Sequence, residues 1–176
     1  KLLGLGFPGG PAVQAAAVDG DATRFKLPRP LKGREGCDFS FSGLKTAVRK
    51  VALGLGPSEN PQEANDLAAS FQLAVCDTVA DRCQNAFDMF AQSHGFDTPT
   101  LVAAGGVAAN LALRDTLESI CAPRGIRLVV PAPALCTDNA AMVAWAGLER
   151  LRAGITTPLD FRPRPRWPLA ELRADA

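Results

Sequence analysis

The stretch TLVAAGGVAANLALR, from Thr100 to Arg114, is the feature that most constrains the fold of this chain. A short apolar run ends at Gly105–Gly106, and apolar residues then recur at helical spacing over residues 109–122. A second apolar run at residues 127–130 and a second helical pattern at residues 139–153 repeat this order. Strand, helix, strand and helix predict a parallel strand pair inside an α/β sheet.

The remaining patterns are mainly helical. The sequence predicts a short helix at residues 11–18, a second that begins at Ser42, and one long helix, or two nearly collinear ones, over residues 63–92. Phe39 and Phe41 alternate with serines, which predicts a short strand. Glycine and proline between these patterns indicate turns.

Composition limits the class of protein. With 47% hydrophobic residues, 176 residues can form one globular core. No apolar run approaches the roughly 20 residues that span a bilayer, and the amino terminus lacks a secretory signal, so we expect no membrane association and a cytoplasmic location. The first methionine is Met89, from which we expect the chain to be a fragment.

The cysteine and charge patterns restrict the class of protein less strongly than the composition does. The five cysteines are odd in number, widely spaced and never arranged as CxxC, which predicts buried free thiols. Cys76 and Cys83 lie seven residues apart, on one face of the predicted long helix. The net charge of +1 gives no global sign of nucleic-acid binding. Basic residues gather at Arg24–Arg34 and Arg162–Arg166, as in local nucleic-acid contacts or in solvated loops.

The glycine pair Gly105–Gly106 falls between a strand and a helix, at the carboxyl edge where open α/β sheets bind ligands. Glycine lets a phosphate or ribose approach the main chain closely, although a tight turn needs glycine even without a ligand. Asn110 follows with an amide suited to a ribose hydroxyl or a base, or to the start of a helix. Gly10, in PGGP, lies in a second glycine turn that opens onto a helix.

Asp138, in CTDNAAM, directly precedes a predicted helix. Its carboxylate suits either a helix cap or a metal ligand. His94 is the only histidine, so the chain lacks the two or three imidazoles that a catalytic zinc or iron site would use. If Asp138 binds a metal, the other ligands come from outside this chain.

Five motifs together resemble the second half of the TsaD family, also called Gcp or YgjD. They are, in order, KLLGLGFPGGPAVQAAA, DFSFSGLKT, AAGGVAANLALR, CTDNAAMVAWAG and RPRWPL. The family comprises the tRNA N6-adenosine threonylcarbamoyltransferases, formerly named O-sialoglycoprotein endopeptidases. The resemblance covers nearly the whole chain.

The resemblance implies an α/β fold, the carboxyl-terminal lobe of an actin-like, Hsp70-type ATPase with a ribonuclease-H-like core and a helical insertion. Within residues 1–176 it implies a glycine-rich turn, helix and strand-loop region at 1–60, a long helix at 61–96, a βαβα core at 97–157 and an extended tail at 158–176. Nucleotide would bind in the cleft between this lobe and another.

The resemblance also implies a reaction. The threonylcarbamoyl group of threonylcarbamoyl-AMP would move to N6 of the adenosine beside the anticodon in tRNAs that read codons starting with A. The implied partners are tRNA and proteins resembling TsaB and TsaE. No residue resembles an activated nucleophile, so we expect direct transfer without a covalent enzyme intermediate.

The matching positions carry the implied site residues. Gly10 and Asn110 would contact the adenylate or ATP, and Gly105–Gly106 would line the phosphate side of the cleft. Asp138 would be the carboxylate ligand of one divalent iron or zinc ion, which would stabilise charge on the carbonyl oxygen. Its histidine partners belong to an HxxxH motif that this chain lacks. Ser42 and Lys45, in SFSGLKT, are weaker candidates.

Two rival functions remain. A non-catalytic scaffold resembling TsaB would not need glycine, asparagine and aspartate at the motif positions Gly10, Asn110 and Asp138. A metalloprotease would need a water-activating base beside a histidine-bound metal, and the sequence has no HExxH. Because half of the expected cleft is absent, we expect the isolated chain to bind nucleotide weakly and not to catalyse transfer alone.

Overall fold

A computed structural model describes residues 3–56, 60–94, 99–162 and 165–166. Its helices and strands are, in chain order, α1 (Gly9–Val18), α2 (Ser42–Leu55), α3 (Pro61–His94), β1 (Thr100–Val102), α4 (Leu111–Cys121), β2 (Arg127–Val129) and α5 (Ala140–Arg152). They form two compact units, Lys1–Asp138 and Asn139–Ala176, each described by itself. None of the described helices is both long enough and apolar enough to cross a bilayer.

The strands β1 and β2 are parallel, as the sequence predicts. Thr100 lies opposite Arg127, Leu101 opposite Leu128, and Val102 opposite Val129. Leu101 and Leu128 pack against the core, whereas Val102 and Val129 point away from it and are exposed. The first unit is therefore a mixed α/β structure with a small parallel sheet.

Helix α3 is the element on which the first unit packs. It runs unbroken because its 34 residues contain no glycine and their only proline stands at the first helical position, where proline is tolerated. Three core clusters lie along it. The first joins Cys76 and Phe87 to the inner face of α4 and to Ile126, the second joins Leu67 and Ala74 to Leu27 and Leu44, and the third joins Ala68 and Ala69 to Ala17 of α1.

Helix α4 buries the side chains that its spacing predicts, namely Leu113, Leu117, Ile120 and Cys121. The predicted helix over 109–122 begins slightly too early, because Ala109 belongs to a short 3₁₀ helix, Gly106–Ala109, and Asn110 is the cap of α4. Cys76 and Cys83 both contact the first cluster, as expected for one helix face. All five cysteines are free, and Cys76, Cys121 and Cys136 are buried.

The predicted strand at Phe39–Phe41 is wrong. These residues have no regular secondary structure, and the two rings stack on each other instead. Alternation favours a strand only where a neighbouring strand supplies hydrogen bonds, and the described structure pairs no strand with this segment.

In the second unit, α5 exposes its apolar side chains, including Met142, Val143, Trp145 and Leu148. The extended tail predicted for 158–176 lies largely outside the described residues, since positions 163–164 and 167–176 are not among them.

Candidate functional site

Two loops leave the carboxyl ends of β1 and β2. The first contains Gly105, the 3₁₀ helix Gly106–Ala109 and Asn110, and leads into α4. The second runs from Pro131 through Cys136 to Asp138. Because the strands are parallel, both loops emerge at the same edge of the sheet.

Arg114, in the first turns of α4, ties these loops together. Its Nε donates to the carbonyl oxygen of Ala108 at 2.6 Å, and its Nη2 donates to the carbonyl oxygen of Pro131 at 2.8 Å. The same Nη2 lies 3.4 Å from the Sγ of Cys136, a buried residue whose thiol donates to Pro131. One guanidinium therefore holds the glycine turn and the loop that ends at Asp138.

Helix α1 reaches the same edge through Gln14. The main-chain N–H of Leu111, the first residue of α4, donates to Oε1 of Gln14 at 2.8 Å. Gly10 precedes Gln14 by about one helical turn, roughly 6 Å along the helix axis. Hydrogen bonds thus bring the segments that carry Gly10, the glycine pair and Asp138 to one side of the first unit.

The glycines at this edge differ in whether the backbone conformation explains why glycine is present. Gly105 has φ of +82°, a conformation that favours glycine, so the turn itself explains it. Gly10 and Gly106 have no positive φ, and a Cβ built at either would meet no described atom within 4 Å. Neither backbone strain nor crowding within the described chain accounts for glycine at these two positions.

Asn110 has a structural role that the sequence left open. Its Oδ1 accepts from the N–H of Leu113 at 2.9 Å, which caps α4, and its Nδ2 donates to Oε1 of Gln72 in α3 at 2.9 Å. The amide is half-buried. One amide hydrogen and one lone pair remain unused in the described structure.

Asp138 does not cap α5, so the helix-cap alternative is wrong. The cap is the next residue, Asn139, whose Oδ1 accepts from the N–H of Met142 at 2.8 Å. Asp138 is exposed, and no hydrogen bond or ion pair engages its carboxylate within the described part of the chain. The carboxylate is therefore accessible.

A metal at Asp138 would need further ligands. Across residues 3–56, 60–94, 99–162 and 165–166, no three His, Cys, Asp or Glu side chains are grouped to hold a metal ion. His94 instead stacks on Phe90 at the end of α3, with ring centroids 4.6 Å apart. One accessible carboxylate fits the expectation of a metal completed from outside this chain.

The described thiols include three with weakened nucleophilicity. Burial raises the pKa of Cys76, Cys83 and Cys121 above the ordinary value. A thiol with a raised pKa stays protonated, and the protonated form is a poor nucleophile. A raised pKa therefore disfavours these three thiols as nucleophiles.

Sequence reasoning missed Arg114, Gln14 and Gln72. Arg114 carried one signal, because a cation in the first turns of a helix is disfavoured by the helix dipole and so indicates a specific partner. The two glutamines carried none. Ser42 and Lys45 lie exposed in the first turn of α2, and no hydrogen bond in the described structure joins them to the glycine turns.

The first basic cluster, Arg24–Arg34, is partly engaged in ion pairs with α3. Arg24 pairs with Glu63 and Asp66 of α3, and Arg29 pairs with Asp77. These two cations therefore stabilise the fold rather than remain available to nucleic acid. In the second cluster, residues 163 and 164 lie outside the described residues.

The chain resembles proteins of one family. A family model described as TsaD: tRNA N6-adenosine threonylcarbamoyltransferase matches residues 1–145. Three relatives carry the name tRNA N6-adenosine threonylcarbamoyltransferase. They come from Rhodospirillum rubrum (56% identical over 170 residues, 96% of this chain and 47% of the relative), Chelativorans sp. (56% over 177 residues, 99% and 49%) and Brucella anthropi (53% over 175 residues, 99% and 48%). The chain thus spans about half the length of the curated relatives it matches.

Proposed function

Since the chain belongs to the TsaD family, we propose that it supplies one wall of a threonylcarbamoyl-transfer site that acts on tRNA. The substrate is threonylcarbamoyl-AMP, and the acceptor is N6 of the adenosine beside the anticodon in tRNAs that read codons starting with A. N6 attacks the carbamoyl carbon, the bond from that carbon to the phosphate oxygen breaks, AMP leaves with the electron pair, and N6 loses a proton.

The proposed architecture is an actin-like, Hsp70-type lobe with a ribonuclease-H-like core. Its support is the β1–α4–β2 unit, in which ligand-binding loops leave one edge of a parallel pair. The relatives' unmatched half would form the rest of the cleft.

The observation that carries the site is the hydrogen-bond network of Arg114 and Gln14. It brings three loop segments to one edge and leaves the main chain at Gly10 and Gly106 bare. Close approach of an adenylate to the main chain would explain why glycine occupies both positions, which no contact within the described chain explains. Gly105–Gly106 would line the phosphate side of the cleft, and Gly10 and Asn110 would contact the adenylate.

Asp138 is the residue of this chain that would hold a divalent iron or zinc ion, together with histidines from outside this chain. When bound, such an ion supplies Lewis-acid polarisation of a carbonyl. What this chain contributes is an accessible carboxylate at the edge where the adenylate binds. Direct transfer fits the raised pKa of the Cys76, Cys83 and Cys121 thiols.

Partners and location follow the family. The proposed partners are tRNA and proteins resembling TsaB and TsaE, and the proposed location is the cytoplasm. The alternative is a scaffold resembling TsaB, for which the accessible Asp138 carboxylate has no use.

A chimaera tests the proposal. This chain replaces the matching part of the Rhodospirillum rubrum relative, and threonylcarbamoyladenosine in tRNA is measured by mass spectrometry. We expect the chimaera to be active, the isolated chain to be inactive, and Asp138→Asn to lose both metal and activity with an unchanged urea midpoint. Gly106→Ala should lower activity without lowering stability, whereas the matched control Gly54→Ala, a glycine of α2 with open space around it, should keep activity. A folded chimaera that is inactive, or that keeps its metal after Asp138→Asn, would contradict the proposal.

A further inference from the structure

An exposed aromatic pair lies just before α2. The rings of Phe39 and Phe41 stack with centroids 6.3 Å apart and planes inclined by 29°. The residues are 50% and 39% exposed, so neither ring serves the core. Stacked aromatic rings that are exposed to solvent are a surface on which a planar base can stack.

The outward face of α2 is cationic. Lys45, Arg49 and Lys50 are exposed, α2 contains no acidic residue, and none of the three cations has an ion-pair partner in the described structure. Lys45 and Arg49 are four residues apart and share one face. The N–H of Lys45 donates to the carbonyl oxygen of Phe41 at 3.0 Å, so the cations begin one turn from the rings.

Packing fixes which way this face points. Leu44 is fully buried, and Val48 and Val51 pack beside it on the opposite side of α2. The helix cannot turn its cations inward without exposing these side chains. Asp38, which directly precedes Phe39, is exposed and sets one negative charge against three positive ones.

We propose that Phe39, Phe41 and the cations Lys45, Arg49 and Lys50 form a stacking platform for an unpaired RNA segment. The inference rests on the proposed function and deepens it, because it locates a surface for the loop of the tRNA substrate. Aromatic rings that take bases, flanked by cations that take phosphates, are how proteins bind single-stranded nucleic acid. Arg24 and Arg29 are less suited, since α3 already neutralises them.

The test uses the chain itself and a fluorescent RNA hairpin with an adenosine-containing unpaired loop. Fluorescence anisotropy gives the affinity, and a blunt duplex of the same length is the comparison ligand. Phe39→Leu with Phe41→Leu should weaken hairpin binding about fivefold or more and leave its salt dependence unchanged. Lys45→Gln with Arg49→Gln should weaken binding and lower the slope of log affinity against log salt by about 0.7 for each phosphate that the variant no longer neutralises.

Two control variants match these changes. Phe90→Leu removes an exposed, stacked phenylalanine near the carboxyl end of α3. Arg127→Gln removes an exposed cation of β2. Both should bind the hairpin as wild type does. If the leucine variants fold poorly by urea unfolding, Phe39→Tyr with Phe41→Tyr keeps the rings and should keep the affinity.

Several results would overturn the platform. They are an unchanged affinity in the folded leucine variants, an equal affinity for the duplex, or loss of binding in the tyrosine variants. A further contrary result would come from the leucine substitutions made in the chimaera. If they lowered its stability but not its RNA affinity, the rings would be covered by another part of the protein. Failure of the proposed function is separate, because it would abolish chimaera activity while the hairpin still bound through Phe39 and Phe41.

Discussion

The substitution Gly20→Ala tests how closely the turn after α1 packs against α3. A Cβ built at Gly20 would lie 2.1 Å from the carbonyl oxygen of Asn65, 2.5 Å from its carbonyl carbon and 2.9 Å from the Cβ of Ala69. The φ of Gly20 is not in the left-handed region, so alanine is conformationally allowed there and the cost of Gly20→Ala is steric. Two of these atoms belong to the backbone of α3 and the third is a Cβ, so none of them can rotate aside.

The size of the effect follows from what surrounds the clash. Relief needs a shift of about 1 Å, but the neighbours of Gly20 are bound to α3 on both sides. The carbonyl oxygen of Asp19 accepts from Gln62 at 2.8 Å, and the N–H of Asp21 donates to Asp66 at 2.8 Å. Overpacking costs about 1–3 kcal/mol, and because the clash is with backbone atoms the upper end of that range applies. The reduced entropy of the unfolded chain returns up to about 1 kcal/mol, so we expect a net loss of about 2 kcal/mol.

Urea unfolding followed by circular dichroism measures this loss. With a slope of about 2 kcal/mol per molar urea, the midpoint of Gly20→Ala should fall by about 1 M. The matched control is Gly54→Ala, which meets no atom within 4 Å and should gain up to about 1 kcal/mol from helix propensity. A Gly20→Ala midpoint at or above that of the wild type would show that this turn does not pack closely against α3.

The other predictions concern pH and capping. Arg24, and then the N–H of Asp21 and the amide of Gln62, lower the pKa of Asp66 to about 2. Because the pKa in the unfolded chain is about 4, this stabilisation is complete above about pH 4 and is lost as the pH falls towards 2. Urea midpoints against pH should show that loss, and Asp66→Asn should remove it. Asn139→Ala should cost α5 about 1 kcal/mol and lower the hydrogen-exchange protection of its first turn, while Asp138→Ala should leave that protection unchanged.

The elements that the sequence predicted well are those with strong local signals. Leu113 and Leu117 recur at helical spacing, and no glycine or internal proline interrupts α3, so burial and length could both be read from the chain. The parallel pairing followed from the order of the elements. These features depend on neighbours within a few residues, or on a rule that holds for most α/β proteins.

Other features depended on contacts that a sequence does not show. Asp138 and Asn139 both have side chains that can cap a helix, and the choice is set by the residue at which α5 begins. Phe39 and Phe41 alternate as in a strand, but a strand needs a partner. The pattern of α5 indicated which of its residues are apolar but not whether they would be buried, and Met142 and Trp145 are exposed.

The sequence located the motifs of the candidate site but did not give their arrangement in space, and Arg114 shows why. The glycine pair and Asp138 are visible as motifs, but their relative position depends on hydrogen bonds from Arg114 to carbonyls on separate loops. Its acceptors are neutral, and no carboxylate pairs with it in the described structure, so its positive charge is retained at this edge. A cation that fixes two loops while staying uncompensated both orders the edge and attracts an anion. The same side chain therefore serves the geometry of the proposed site and its preference for a phosphate.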